Sequence, residues 1–234
     1  MPHPTDEEIA ILTERISKAL GPDVKVACAA IDDRAPPPMA PEEAVTVAKA
    51  VPQRVAEFAT GRALARRLVS ELGFTPGPIV SRKDRSPDWP AGAIGSITHT
   101  KHIAIVAAAR GGPDASLGID VEPRETLNPE LYSLICTPQE IEWLDRQPAE
   151  DRGRIARTLF SAKETLYKCQ HPITTTFLGF QQAEIDFALP EQFEARILHP
   201  VAARFGGRPL AGFVIETDRW LVTAMRWPQP SDGR

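Results

Sequence analysis

Gly118-Ile119-Asp120-Val121-Glu122 lies near the middle of the chain and is the first of its two most informative acidic clusters. Alternating apolar and acidic residues are typical of a strand, and on a strand both carboxylates point to one face. Gly118 permits close approach of a ligand to the backbone, and Pro123 is expected to end the strand and leave the carboxylates at an edge. The pattern therefore predicts either a ligand-binding edge or the solvated end of a strand.

A second acidic cluster follows at Phe160-Ser161-Ala162-Lys163-Glu164-Thr165-Leu166-Tyr167-Lys168. Glu164 and Lys168 are one helical turn apart, so they share a face of a helix. Alone, they are either an ordinary surface pair or part of a site. Together with Asp120 and Glu122 they supply three hard oxygen donors beside a lysine, which predicts a site for Mg²⁺ and phosphate.

The composition is that of an ordinary globular protein. The chain has 234 residues, of which 42% are hydrophobic and 25% charged, enough for one large domain or two small ones. Residues 1–20 carry acids at helical spacing and no unbroken apolar run, so we expect neither a signal peptide nor a membrane span, and a cytoplasmic location. The net charge of -4 argues against nucleic acid as the default partner.

The three cysteines, Cys28, Cys136 and Cys169, are scattered and form no CxxC pair. This spacing argues against a structural zinc site and against a disulfide framework. We therefore expect reduced thiols that are at least partly buried.

The first part of the chain reads as a helix, a strand, a second helix and a hairpin. Thr5-Asp6-Glu7-Glu8 has the spacing of a capping box, and the prolines from Ala35 to Pro41 predict a loop. The predicted elements are a first helix ending at Leu20, a strand from Val24 to Cys28, a helix from Val51 to Leu72, and a hairpin of residues 93–97 and 103–109.

Gly111-Gly112-Pro113 is the predicted boundary between two halves, residues 1–112 and 113–234, because this sequence continues neither a helix nor a strand. Both halves run from helices to strands, so we predict an α+β fold of two similar halves related by pseudo-twofold symmetry, with the site at their seam. No sequence repeat accompanies this prediction. The elements predicted after the boundary are a strand over 117–122, helices over 137–146 and 152–169, and strands over 182–187, 193–197, 213–217 and 221–225.

The helix predicted over residues 51–72 carries the first concentrated positive charge of the chain, Arg54, Arg62, Arg66 and Arg67. Arg54 and Arg62 are about two helical turns apart and so lie on nearly one face, which by itself is also typical of a solvated stripe. His99 has a threonine on either side and is followed by Lys101, surroundings rich in hydrogen-bond donors that a phosphate group requires. A histidine that merely satisfies a turn is the alternative.

Together these segments resemble one family, the 4′-phosphopantetheinyl transferases of the surfactin type, and in particular the branch that includes enterobactin synthetase component D. The resemblance extends from about Pro41 to Phe187. It rests on five segments in the family's order: Arg54-Val55-Ala56-Glu57-Phe58 with Gly61-Arg62, Ser86-Pro87-Asp88-Trp89-Pro90, Gly95-Ser96-Ile97-Thr98-His99-Thr100, Gly118 to Glu122, and Phe160 to Lys168.

The resemblance implies two α+β halves that bind coenzyme A and Mg²⁺, or Mn²⁺, between them. It implies that the phosphopantetheine arm moves from coenzyme A to a serine of an apo carrier protein, leaving adenosine 3′,5′-bisphosphate, as in a holo-[acyl-carrier-protein] synthase. By the same likeness the metal ligands are Asp120, Glu122 and Glu164. The residues expected to bind coenzyme A are Arg54, Arg62, Lys83, Ser96, His99, Lys163 and Lys168.

The expected chemistry suits those residue types. A serine hydroxyl attacks the β-phosphorus, so a metal and neighbouring cations such as Lys168 stabilise the developing charge. A carboxylate must take the serine proton, and the candidates are Glu164, directly or through water, and then Glu122.

Two other functions stay open from the residues: a metal-dependent nuclease or phosphohydrolase, and a non-catalytic module that binds coenzyme A or a carrier protein. The expected partners are acyl, peptidyl or aryl carrier proteins of fatty-acid, polyketide, siderophore or nonribosomal-peptide synthesis, with no nucleic acid and no membrane. A monomer is expected, since two halves already form a two-sided site.

Overall fold

The computed structural model of the chain describes residues 3–189 and 191–228. Its helices are α1 (Asp6–Leu20), α2 (Pro41–Val47), α3 (Pro52–Glu71), α4 (Tyr132–Ile135), α5 (Pro138–Asp145) and α6 (Ala149–Thr174). Its strands are β1 (Lys25–Ala30), β2 (Ala93–His99), β3 (Ile103–Arg110), β4 (Ser116–Pro123), β5 (Ala183–Leu189), β6 (Gln192–Ile197), β7 (Leu210–Glu216) and β8 (Trp220–Trp227).

The strands form two antiparallel sheets, which confirms the predicted α+β class. One sheet has three strands in the order β1-β3-β2, and the other has five in the order β4-β8-β7-β6-β5. The strand that carries Asp120 and Glu122 is therefore at the edge of the larger sheet. Long helix α3 packs on the small sheet, and α6 packs on β4 and β8.

Three apolar clusters hold these layers together. One lies in the first half under α3, and one in the second half under α6. The third joins the halves, because α1 buries Leu12, Ile16 and Leu20 against β3 of the small sheet and β4 and β8 of the large one. Burial of apolar side chains from both sheets in one cluster is the main attraction between the halves.

The sequence predicted most elements within a few residues, but it missed helices α2 and α4 and ended α6 too early. Helix α2 begins at Pro41, where a loop was expected to end, because proline is favoured at the first helical position and Glu43 caps the turn. Helix α6 continues past Cys169 to Thr174 and contains Pro172 in its last turn. No helix within the described ranges is both long and apolar enough to cross a bilayer.

The two halves share an order of elements. In each, an edge strand is followed by a short helix that begins with proline and by a long helix, and the edge strand pairs with the last strand of the half. The orders β1-β3-β2 and β4-β8-β7 correspond, and β5 with β6 extends the second sheet. The sheets nevertheless differ in strand number, and the symmetry between the halves stays a prediction.

Candidate functional site

Asp120 is the centre of a polar cluster that is almost closed to solvent. It is 5% exposed, and its Oδ1 lies 2.6 Å from the Nζ of Lys168 on α6. The hydroxyl of Thr98 on β2 donates to the same oxygen at 3.2 Å, and the hydroxyl of Ser161 donates to Oδ2 at 2.8 Å. Three elements, β2, β4 and α6, therefore converge on this carboxylate.

Glu122 projects from the same strand and is held by an arginine that the sequence did not single out. Arg157, on α6, donates to Oε2 of Glu122 at 2.8 Å. Burial and the charge of Asp120 raise the pKa of Glu122 to about 7, although Arg157 acts in the opposite direction. Desolvation and the neighbouring carboxylate thus outweigh one ion pair.

Glu164 is the third acid, one turn before Lys168 on α6. Burial raises its pKa, as does the charge of Asp120, while Lys168 lowers it. Among the described residues, the Glu164 carboxylate has no hydrogen-bond partner. The charge of Asp120 therefore raises the pKa of both Glu122 and Glu164, and their joint role in one site stays a prediction.

These acids do not form a ready-made metal cage. No group of three or more histidine, cysteine or acidic side chains in the described part of the chain is arranged to hold a metal ion. Instead the ammonium of Lys168 neutralises Asp120 and also reaches the carbonyl oxygen of Ile119 at 3.2 Å. The cluster consists of carboxylate oxygens, which are the donors that Mg²⁺ prefers.

A cleft of about 670 Å³ adjoins this cluster, within the size range of small-molecule sites. Residues of both halves line it: Glu164, Tyr167, Lys168 and His171 of α6 on one side, and residues 82–97 of the first half on the other. The apolar part includes Trp89, Ile94 and Ile97, and Ser96 adds a polar atom. The cleft can thus accept a largely apolar group whose polar end faces Lys168.

A second polar cluster occupies the end of β2. Arg54 on α3 places Nη1 2.5 Å from Nε2 of His99, and Oε2 of Glu57 lies 3.5 Å from Nδ1. Burial is the main cause that lowers the pKa of His99; Glu57 raises it, and Arg54 and Lys168 lower it. Helix α3 and the turn that follows β2 therefore meet through the contacts of Arg54 and Glu57 with His99.

The remaining phosphate-binding candidates of the first half differ in accessibility. Arg62 is 5% exposed, lies over the Phe58 ring and donates to the hydroxyl of Ser81 at 3.0 Å. Burial lowers its pKa to about 10, and its Nε has no hydrogen-bond partner among the residues that the structure describes. Lys83 is exposed, and Ser96 accepts the N–H of Ile119.

Two family models match the chain. The model of the 4′-phosphopantetheinyl transferase N-terminal domain matches residues 41–109, and that of the 4′-phosphopantetheinyl transferase superfamily matches residues 116–211. The chain belongs to the 4′-phosphopantetheinyl transferase superfamily. This membership confirms the resemblance drawn from the five segments.

The chain is also similar, over most of its length, to individual proteins of this superfamily. The 4′-phosphopantetheinyl transferase Svp of Streptomyces mobaraensis is 40% identical over 203 residues, 82% of this chain and 79% of that protein. The 4′-phosphopantetheinyl transferase Npt of Nocardia iowensis is 34% identical over 78% of this chain and 83% of its own. Enterobactin synthase component D of Salmonella typhimurium is 29% identical over 73% of this chain and 71% of its own.

One predicted ligand of the transferase lies apart from the others. Lys163 is 3% exposed, and its Nζ donates to Glu140 at 2.6 Å and to the carbonyl oxygens of Ile135 and Phe180 at 2.8 and 3.0 Å. All three ammonium hydrogens are thus engaged inside the second half. This geometry does not support the predicted contact of Lys163 with a phosphate.

Sequence reasoning about the transferase also missed residues that support the site. Arg157 precedes Glu164 by about two helical turns, so helical spacing could have placed both on one face. Thr98, Ser161 and Glu57 stood inside the five segments without an assigned role. Thr223, opposite Asp120 on β8 and within 2.9 Å of the Ser161 hydroxyl, carried no sequence signal.

Proposed function

We propose that the protein transfers the 4′-phosphopantetheine arm of coenzyme A to a serine of an apo carrier protein, with Mg²⁺, and leaves adenosine 3′,5′-bisphosphate. The observation that carries this proposal is the meeting of Asp120, Glu164 and Lys168 at a cleft, in a chain of this superfamily. The cleft supports it by offering apolar walls to the arm and an ammonium group to the pyrophosphate.

The residues present fit a divalent cation by charge and donor type. Glu122 and Glu164 each have a pKa raised by burial and by Asp120, so a divalent cation beside them would favour their charged forms. These three carboxylates would hold Mg²⁺ or Mn²⁺. When bound, such an ion supplies charge neutralisation at the pyrophosphate.

Lys168 is assigned to the pyrophosphate. With a divalent cation beside Asp120, the ammonium of Lys168 would be free to donate to pyrophosphate oxygens at the end of the cleft. Arg54 and His99 would bind a further phosphate of coenzyme A, and Arg62, Lys83 and Ser96 stay predicted contacts.

The serine proton has two candidate acceptors. We assign it to Glu164, because Arg157 already donates to Glu122 and holds that carboxylate in place. Glu164 has no such hydrogen-bonded partner in the part of the chain that the structure describes, and it lines the cleft. Glu122 is the second candidate.

Finer features belong to the same proposal: halves 1–112 and 113–234 related by pseudo-twofold symmetry, a site at their seam, a holo-[acyl-carrier-protein] synthase subtype, a cytoplasmic location and a monomer. The symmetry is supported by the matching orders β1-β3-β2 and β4-β8-β7. Superfamily membership favours transfer over nuclease or phosphohydrolase activity.

The test is incubation with coenzyme A, Mg²⁺ and several apo acyl and peptidyl carrier proteins, followed by mass spectrometry. Each accepted carrier should gain the mass of one phosphopantetheine group. Asp120→Asn and Glu164→Gln should lower the rate by about 10²–10³, whereas Glu142→Gln, an exposed acid of α5, should retain it. Failure to modify any carrier would overturn the proposal.

The two acid variants also separate a transferase from a binding module. If both modified the carrier as fast as the parent, the assignment of Asp120 and Glu164 would be wrong. If the parent bound coenzyme A and carrier but transferred nothing, the non-catalytic alternative would be the correct one.

A further inference from the structure

The hydrogen bonds of His99 define which ring nitrogen carries hydrogen. An arginine side chain only donates, so the 2.5 Å contact from Arg54 requires an unprotonated Nε2. The ring hydrogen must then lie on Nδ1, which has Oε2 of Glu57 at 3.5 Å and the carbonyl oxygen of Thr100 at 3.4 Å. His99 is therefore neutral in the free protein.

The charges around the His99 imidazole also favour its neutral form. Arg54 and Glu57 face it from α3, and Lys168 acts on it from α6. Two cations and partial burial outweigh the single carboxylate and disfavour an imidazolium. An anion that binds beside the ring would instead favour the protonated imidazolium.

Arg54 is free to leave the ring when an anion arrives. Its side chain is 49% exposed, while that of His99 is 29% exposed, so both can be reached from solvent. A phosphate oxygen is a far better acceptor for a guanidinium than a neutral ring nitrogen is, since the bond is between opposite charges. After Arg54 turns to the phosphate, Nε2 faces an anion and no longer a cation.

We propose that binding of a coenzyme A phosphate by Arg54 is coupled to uptake of one proton by Nε2 of His99, with Glu57 as the positioning residue that keeps hydrogen on Nδ1. The inference rests on the proposed function, because it takes coenzyme A as the ligand. The Arg54–Nε2 hydrogen bond breaks, a solvent proton adds to Nε2, and the new N–H donates to the phosphate.

Glu57 is suited to that part because Arg54, which donates to its Oε2 at 3.3 Å, is one of two side chains among the described residues that hold it. Its side chain is 11% exposed, and Gln53 donates to Oε1 at 3.2 Å while also donating to the carbonyl oxygen of Lys101 at 2.9 Å. When Arg54 moves away, the carboxylate stays beside Nδ1. It then faces a positively charged ring, which it stabilises.

Calorimetry measures the proton directly. Coenzyme A is titrated into the protein without Mg²⁺, near pH 7.5, in PIPES and in Tris, whose ionisation enthalpies differ. The parent should take up more protons per bound coenzyme A than His99→Asn does, by a sizeable fraction of one proton. Any proton lost by the ligand itself is common to both proteins and cancels.

The controls are matched to the site. His102→Asn, on the same turn, should show the uptake of the parent, and Glu57→Gln should bind coenzyme A with less uptake. Equal uptake by the parent and by a His99→Asn variant that binds coenzyme A would overturn the inference and leave the proposed function standing. Absence of coenzyme A binding to the folded parent would overturn both.

A second measurement does not depend on any variant's ligand affinity. In protein labelled with ¹⁵N at its five histidines, the Nε2 resonance of His99 should move from the range of an unprotonated acceptor to that of a protonated nitrogen on saturation with coenzyme A. A resonance that stays in the unprotonated range in the saturated complex would overturn the inference.

Discussion

At the residue scale, the two lysines of the acidic helix have different surroundings. Helical residues advance about 100° each, so Lys163 and Lys168 diverge by about 140° around α6. Lys168 therefore shares the face of Glu164 and reaches Asp120, whereas Lys163 enters the core and meets Glu140. Burial lowers the pKa of Lys163, and Glu140 offsets part of that effect.

Replacing each lysine by methionine should separate these roles. Lys163→Met should lower the free energy of unfolding by about 3–5 kcal/mol, because it leaves Glu140 buried without its cation. Its Michaelis constant for coenzyme A should match that of the parent wherever the variant is folded. Lys168→Met should slow transfer, and because it leaves Asp120 without its cation it should also lower the urea midpoint, by less than Lys163→Met since the Lys168 side chain is 26% exposed. Weak coenzyme A binding by folded Lys163→Met would contradict this assignment.

The cysteines behave as buried thiols, as the sequence predicted. All three are free, and burial raises the pKa of Cys28 and Cys136 to about 11 and that of Cys169 to about 12. A raised thiol pKa means that at pH 8 only about one molecule in a thousand, or fewer, carries a given thiolate.

Iodoacetamide at pH 8 should therefore leave the native protein unlabelled over the time in which the guanidinium-unfolded protein takes three labels, counted by intact mass. Raising the pH toward 10 should increase the native labelling rate, because deprotonation then becomes more frequent. Rapid labelling of any cysteine at pH 8 in the native state would contradict the burial of that thiol.

At the element scale, the close approach expected at Gly118 is made by α6 and not by a ligand. A Cβ at this position would overlap the carbonyl oxygen of Thr165 and lie 3.0 Å from Cys169. The absence of a side chain is what lets α6 lie on β4 and bring Lys168 to Asp120. The sequence therefore predicted a close approach at Gly118, and the structure shows that helix α6 makes it.

Gly118→Ala should therefore push α6 away from β4 and destabilise the protein by about 1–3 kcal/mol or more. Transfer activity should fall as well, since Glu164 and Lys168 would move relative to Asp120. Gly112→Ala is the control for stability, because no atom of residues 3–189 or 191–228 lies within 4 Å of its Cβ position. Equal urea midpoints for the two variants would show that the helix and strand are not in the described contact.

One buried glutamate in each half makes the same set of contacts around a short helix. Glu43 accepts the N–H of Ala40 and of Ile79 and pairs with Arg66 of α3. Glu140 accepts the N–H of Thr137 and of Ile185 and pairs with Lys163 of α6. Each carboxylate thus joins a helix start, a long helix and a following segment, which gives physical content to the similarity of the halves.

At the scale of the whole molecule, the two halves should unfold together. The cluster around α1 contains side chains of both sheets, and Ile16 within it is fully buried. Neither sheet keeps that apolar surface covered without the other. The predicted boundary near residue 112 is therefore a feature of the chain order and not a division of the core.

Ile16→Ala should cost about 2–5 kcal/mol through lost burial and the cavity left behind. Tryptophan fluorescence and far-UV circular dichroism should report one coincident urea transition, at a lower midpoint than in the parent. Ile11→Ala, on the exposed side of the same helix at 47% exposure, should leave the midpoint nearly unchanged. Two separated transitions would indicate that the halves are independent.

The sequence alone was enough to predict the α+β class, the strands and four longest helices of the described residues, and the family, because periodicity, capping residues and ordered segments are local properties. It also grouped Asp120, Glu122, Glu164 and Lys168 as one predicted site, since alternation on a strand and spacing on a helix fix the face of each side chain.

The pairing of charged side chains between different helices and strands is visible only in the tertiary structure. It placed Lys163 on Glu140, Arg157 on Glu122 and Arg54 on His99, and it made α6 the neighbour of Gly118. These contacts join residues far apart in the chain, and their partners depend on how sheets and helices stack. That stacking is set by the summed burial of many apolar side chains, which no short stretch of sequence contains.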